Sequence, residues 1–178
     1  EIKRKDCCMK IHNLTLSFII LLCGILLPRD FDQRDIPIHE NGRIKPLDTF
    51  VRNQLLVIYG KRSIKPKALP EELNSKGLSA IDWFFDIAIN PDEGDKYRVF
   101  NISNPEVVAS LGLYWDPSHL YNRKEILSGL KNQIDYITTI QGKPEAELTQ
   151  FDIHMLKVYS NVIQYQTLSY SLSCLLPL

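Results

Sequence analysis

The densest group of polar side chains with a defined spacing lies between residues 36 and 52, which read IPIHENGRIKPLDTFVR. This stretch contains His39 and three cations, Arg43, Lys45 and Arg52. Arg43 and Lys45 precede a predicted helix whose N-terminus favours anions, and Arg52 lies one turn further along. Because arginine binds carboxylates bidentately, the group could receive haem carboxylates or an acidic partner surface.

The same stretch also has a purely structural interpretation. Gly42 permits a turn, and Asp48 and Thr49 can accept hydrogen bonds from the exposed amides at the start of the helix. A turn, a helix cap and a basic rim would need no ligand. The residues leave both interpretations open.

Patterns for metal binding and catalysis are missing from the rest of the sequence. The candidate ligands His39, His119 and His154 include no pair at i, i+3 or i, i+4, so no ligand pair shares one helix face. There is no Gly-x-Ser-x-Gly motif, and no cysteine occurs between residues 24 and 173. We therefore expect no catalytic residue, no metal site and no catalytic activity of the chain on its own.

Aromatic residues are concentrated in the middle of the chain. They could line a flat hydrophobic ligand, although packing in a core explains them more simply. The residues are Trp83, Phe84, Phe85, Tyr97, Phe100, Tyr114 and Trp115.

Length and charge limit the class of protein. The 178 residues suit one domain with a targeting segment, and 44% hydrophobic residues suit a packed core. Lys plus Arg and Asp plus Glu both total 21, so no net positive charge is available to attract nucleic acid. Nucleic acid is therefore not an expected partner.

Both ends of the chain are apolar. Residues 1–28 place Lys3, Arg4 and Lys5 before an apolar run, which predicts a signal or an uncleaved membrane anchor. The positive-inside rule keeps the basic cluster in the cytoplasm. The chain is thus predicted to be anchored in the inner membrane with residues 29–172 on the periplasmic side. Residues 173–178 are predicted to begin a truncated apolar segment.

Between these ends the sequence predicts a mainly α fold. Residues 29–46 suit an extended segment, residues 61–70 a loop and residues 96–102 a short strand. Helices are predicted over 47–59 before Gly60, over 80–89 after Ser79, and from Pro105 to Gly112.

The last third has the strongest helical periodicity. One helix is predicted from a cap at Asp116 or Asn122 to Ile140, with an apolar stripe of Leu127, Leu130, Ile134 and Ile137. A second helix follows the turn at 141–144, with a stripe of Leu148, Phe151, Met155, Val158, Val162 and Tyr165. Two such stripes joined by a short turn predict a long antiparallel helical hairpin whose core includes Ile134.

Residues 36–61, IPIHENGRIKPLDTFVRNQLLVIYGK, resemble a segment of the System II cytochrome c biogenesis proteins of the CcsA/CcsB (ResB/ResC) type. The shared pattern is hydrophobic-Pro-x-x-x-x-Gly-Arg-x-Lys-Pro-hydrophobic-Asp-Thr-Phe followed by a helix. Members of that family carry haem across the membrane and present it to apocytochrome thiols. This chain has neither the tryptophan-rich haem-handling segment nor the membrane helices that carry the haem-ligand histidines.

The resemblance implies the extracytoplasmic part of a cytochrome c maturation membrane protein. Such a domain would scaffold or dock the other maturation subunits and apocytochrome c, with haem entering only through the full haem lyase system. The alternative is a membrane-anchored periplasmic protein-interaction module of unrelated function.

Overall fold

The computed structural model describes residues 32–71 and 76–172. The chain divides into two units, residues 1–35 and 36–178. In the first unit Gln33–Asp35 form a single 3-10 turn.

The predicted anchor at residues 1–28 and the predicted apolar segment at 173–178 lie outside the described residues. Within the part that the structure does describe, no helix is both long and apolar enough to cross a bilayer.

The second unit is mainly helical, as the sequence predicts. Its elements in chain order are β1 (Pro37–Glu40), β2 (Arg43–Pro46), α1 (Leu47–Tyr59), β3 (Ser63–Ile64), β4 (Leu78–Ser79), α2 (Ala80–Ile89), α3 (Pro91–Gly94), β5 (Phe100–Asn101), α4 (Pro105–Ser110), β6 (Leu120–Tyr121), α5 (Arg123–Asn132), α6 (Ile134–Gln141) and α7 (Gln150–Tyr170). Two 3-10 turns stand at Pro66–Ala68 and Glu145–Glu147.

The strands form three separate antiparallel pairs, β1 with β2, β3 with β4, and β5 with β6. Residues 29–46 were predicted to be an extended segment, but residues 37–46 fold back on themselves as a β-hairpin in the register Pro37↔Pro46 to Glu40↔Arg43. Each pair is too short to bury a face of its own. The pairs therefore tie connecting segments to a helical core.

Local signals set several helix boundaries where the sequence places them. Ser79 caps α2, because its Oγ accepts a hydrogen bond from the amide of Asp82 at 3.3 Å. Gly60 ends α1 with a left-handed φ of 79°. Asn104 caps α4 by accepting hydrogen bonds from two amides of the first turn.

Helix α2 lies at the centre of the core, where it packs against α1 and α7. Trp83 of α2 is fully buried, and its ring centroid lies 6.1 Å from that of Tyr165. Phe100 approaches the other side of Tyr165 at 5.4 Å. The predicted stripe of α7 is confirmed at its four buried members, which are Met155, Val158, Val162 and Tyr165.

The predicted single helix from about 120 to 140 is wrong, because the chain breaks at Gln133 into α5 and α6. Gln133 has φ −103° and ψ 6°, and its side-chain amide donates to the carbonyl oxygen of Ser110 at 3.0 Å. The break shifts the helical phase, so Ile137 and Ile140 are buried whereas Ile134 is 44% exposed. The placement of Ile134 in the core is therefore also wrong.

The start of α5 agrees with one of the two predicted caps. Asn122 accepts from the amide of Glu125 at 2.9 Å, and the Glu125 carboxylate accepts from the amide of Asn122 at 2.8 Å. This reciprocal capping box selects Asn122 rather than Asp116 as the cap. Helix α6 contacts α7, while the long hairpin as a whole stays a prediction.

Candidate functional site

The segment that resembles the cytochrome c biogenesis family folds as one continuous β-hairpin and helix. Asn41 and Gly42 form its two-residue turn, with φ values of 50° and 74°. Two left-handed residues give the twist that a tight hairpin needs. Helix α1 begins directly after β2, and the amide of Leu47 donates to the carbonyl oxygen of Ile36 at 2.8 Å. The hairpin is thus fixed to the start of the helix.

Two of the three predicted cations are engaged in ion pairs within this segment. Lys45 donates through Nζ to Glu40 on the opposite strand. Arg52 donates through Nε to Asp48 at 2.7 Å, one turn back along α1. The role of Asp48 and Thr49 as helix caps is wrong, because Pro46 occupies the cap position and no side chain bonds to the helix amides there.

Arg43 and His39 are both exposed residues of the hairpin. Arg43 forms no ion pair with any residue in the described ranges. His39 is exposed and pairs across the strands with Ile44, whose side chain is 75% exposed. We call the three exposed residues His39, Arg43 and Ile44 the hairpin face; Arg43 lies on the other side of the strands from His39 and Ile44, since successive strand residues alternate in direction.

The three candidate cations of this motif are not equally available to haem propionates. A site for propionates needs several cations that converge on the ligand, and here Lys45 and Arg52 are already neutralised by Glu40 and Asp48. Within residues 32–71 and 76–172, no three His, Cys, Asp or Glu side chains are grouped to hold a metal ion. Of the three cations, only Arg43 has no ion pair within the described residues.

A second site lies in the loop between α4 and β6. The aromatic cluster in the sequence separates into two groups, since Trp83, Phe84, Tyr97 and Phe100 are buried in the core. Tyr114, by contrast, is 95% exposed and Trp115 is 48% exposed. Beside them is a cavity of about 300 Å³ whose lining includes both rings, Arg98, Asp116, Pro117 and Tyr121. We call this the aromatic cleft.

A charged pair lies in the wall of the aromatic cleft. Arg98 donates through Nη2 to Asp116 Oδ2 at 2.6 Å, and the amide of Ser118 donates to Asp116 Oδ1 at 2.7 Å. Hydrogen bonds from Ser118, followed by the Arg98 guanidinium, lower the pKa of Asp116 from 3.8 to about 2. The Asp116 carboxylate is therefore ionised at neutral pH.

The turn that carries the cleft is strained. His119 has a left-handed φ of 56°, and its ring packs edge-on against Trp115 with 4.6 Å between centroids. Its buried Nδ1 and the buried Nε of Arg98 have no hydrogen-bond partner within the described part of the chain. Strained backbone and unsatisfied polar atoms are enriched at binding sites.

By residue pattern alone, Tyr114 and Trp115 are not distinguishable from the core aromatics. The available signal was their position between Gly112 and Pro117, which indicates a loop, and loops commonly carry binding residues. His119 lies in the turn that precedes α5, which is capped by Asn122. His154 lies on α7 and is only partly exposed.

Compared with known proteins, the chain matches no family model, no curated protein and no solved structure.

Proposed function

We propose that this chain is the extracytoplasmic docking domain of a cytochrome c maturation membrane protein. The observation that supports this most directly is the fold of residues 36–61. The family-like segment forms one hairpin and helix, and its hairpin face is not used by the core. Haem chemistry would then belong to other subunits, and this domain would hold those subunits or apocytochrome c.

The hairpin face has the chemistry of a small docking surface. Burying an isoleucine side chain contributes about 1.5–3 kcal/mol, and Ile44 is largely exposed. Arginine is enriched among the residues that dominate binding energy, and the exposed Arg43 has no intramolecular ion pair in the described residues. The Lys45–Glu40 pair holds the strands on which both residues stand. Little ordering would therefore be needed on binding.

The proposal includes a place in the cell. Residues 1–28 would anchor the chain in the inner membrane, and the helical domain would lie on the periplasmic side with other maturation subunits as neighbours. Helix α6, which contacts α7, would form part of the rigid body of this scaffold.

The test is holocytochrome c production in cells that carry variants of this chain. Deleting the reading frame should reduce holocytochrome c on a haem-stained gel. Arg43→Ala combined with Ile44→Ala should reduce it as well, while the melting temperature and the amount of the variant stay unchanged. The matched control is Val57→Ala with Arg62→Ala, since Val57 is 51% exposed and Arg62 is an exposed cation. Normal holocytochrome c after deletion would refute the proposal.

The aromatic cleft favours a second candidate function, a protein-interaction module unrelated to cytochrome c. Exposed Tyr and Trp rings pack against extended, proline-containing peptides, and the indole N–H can donate to a peptide carbonyl. Trp115 is the exposed one of the two tryptophans, since Trp83 is fully buried. Binding of such peptides should therefore shift the Trp115 fluorescence. Peptide binding that Trp115→Ala removes without changing holocytochrome c would favour this function.

A further inference from the structure

A small polar cavity separates the loop between β5 and α4 from helix α7. Its volume is about 50 Å³, and its polar lining includes Asn101, Asn104, His154, Lys157 and Asn161. His154, Lys157 and Asn161 follow helical spacing on one face of α7. This cavity is distinct from the hairpin face and from the aromatic cleft.

Asn161 is the unusual residue of the cavity. Its side chain is only 5% exposed, and its amide forms no hydrogen bond with any residue that the structure describes. Buried amide groups are normally hydrogen-bonded, because leaving them without a partner is costly. The amide of Asn161 is therefore available to a partner in the cavity that it lines.

The hydrogen bond between Asn104 and His154 fixes which ring nitrogen of His154 can donate. Asn104 Oδ1 already accepts from the amides of Glu106 at 2.9 Å and Val107 at 3.3 Å. The atom that lies 3.0 Å from His154 Nδ1 is therefore the Asn104 amide nitrogen, which donates. Because Nδ1 accepts, the proton of the neutral ring is on Nε2, which gives His154, a residue of the cavity lining, a ring N–H that can donate.

The charge of the cavity is positive. Lys157 lines it, and no Asp or Glu is among the lining residues. Lys157 also forms no ion pair within residues 32–71 and 76–172. One cation together with amide and imidazole donors is the complement of an oxyanion.

We propose that this cavity binds one small oxyanion, either inorganic phosphate or a carboxylate group. Lys157 supplies the opposite charge, and the amide of Asn161 and the Nε2–H of His154 donate hydrogen bonds. The volume admits a single such group. The proposal does not depend on the role of the chain in cytochrome c maturation.

The experiment measures binding of inorganic phosphate to the full chain in detergent by calorimetry, at constant ionic strength set with chloride. Wild type should bind phosphate with a one-to-one stoichiometry. Lys157→Met should weaken binding about ten-fold, the loss of one charge-assisted hydrogen bond. Asn161→Asp, which replaces a donor with a negative charge at nearly constant shape, should abolish it. Lys67→Met is the matched control, since Lys67 is exposed and does not line the cavity.

Repeating the titration with acetate separates the two sources of the oxyanion. Tighter phosphate binding indicates the free ion, and tighter acetate binding indicates a carboxylate group. The proposal would be overturned if wild type bound neither phosphate nor acetate, or if Lys157→Met bound them with unchanged affinity. The cavity would then hold only water. Lys157 is exposed, so this variant remains informative if Asn161→Asp fails to fold.

Discussion

Arg123 donates through Nη1 to both carboxylate oxygens of Asp95, at 3.1 Å to Oδ1 and 3.0 Å to Oδ2. Asp95 is only 6% exposed, and the Arg123 side chain is 14% exposed. The guanidinium carbon also lies 5.9 Å from the centre of the Tyr165 ring. This pair joins the start of α5 to the residue that follows α3, which are 28 positions apart in the sequence.

Removing the acid of this pair should strongly destabilise the fold. Asp95→Ala leaves the Arg123 charge buried without a partner, which costs about 3–5 kcal/mol. Urea denaturation followed by circular dichroism measures the loss. Asp92→Ala is the control, because Asp92 is fully exposed and lies 3.9 Å from Lys124, so its removal should be nearly silent. Equal midpoints for the two variants would contradict the structural role of Asp95.

Gly129 should not tolerate even a methyl group. A Cβ at this position in α5 would lie 2.2 Å from the carbonyl oxygen of Leu111 and 2.8 Å from its Cα. Gly→Ala inside a helix ordinarily stabilises a protein by about 1 kcal/mol. Here the backbones at Gly129 and Leu111 must move apart to admit the methyl group, so we expect the free energy of unfolding to fall by about 3 kcal/mol.

The control for Gly129 is Gly142→Ala at the end of α6. The Cβ there would meet its nearest atom, Thr139 O, at 3.6 Å, which is an ordinary contact. Thermal denaturation should therefore show a large fall in melting temperature for Gly129→Ala and little change in melting temperature for Gly142→Ala. A stable Gly129→Ala variant would mean that α5 does not pack against the Leu111 backbone.

The break at Gln133 predicts opposite effects for two isoleucines that are three positions apart. Ile137 is fully buried, so Ile137→Asp places a charge in the core and should cost about 3–5 kcal/mol. Ile134 is 44% exposed and is the first residue of α6, where an acid is compatible with the helix dipole. Ile134→Asp should therefore change the melting temperature little. A severe loss of stability in Ile134→Asp would contradict the break at Gln133 and favour one continuous helix.

Asp116 should contribute to the acid sensitivity of the fold. Its pKa is lowered from 3.8 to about 2 in the folded state, so the unfolded chain binds this proton first as the pH falls. The stabilisation is complete above about pH 4 and is lost as the pH falls towards about 2. Asp116→Asn should flatten this part of the curve of unfolding free energy against pH.

Urea denaturation between pH 2 and pH 6 measures that curve. The exposed Asp92 provides the control, and Asp92→Asn should keep the wild-type slope. An unchanged slope for Asp116→Asn would show that the bonds from Ser118 and Arg98 do not depress the pKa of Asp116.

Several elements of this protein were determined by the sequence alone because their causes are local. Ser79, Asn104 and Asn122 cap helices through bonds to amides two or three positions away, and Gly60 ends α1 by adopting a left-handed conformation. The apolar spacing of α7 likewise identifies its buried face. In each case the interacting groups are neighbours in the chain, so the pattern of residue types carries the information.

The tertiary structure decided which side chains remain available to a partner. Lys45 and Arg52 have the same charge as Arg43, but each is neutralised by an acid that the folding of its own element brings near. Trp115 and Trp83 belong to the same aromatic group in the sequence. The Trp115 ring is nevertheless half exposed, whereas the Trp83 ring is buried in the core. The exposure of a ring depends on how segments far apart in sequence pack, and the Lys45–Glu40 pair depends on the register of the hairpin, so residue spacing alone does not determine either.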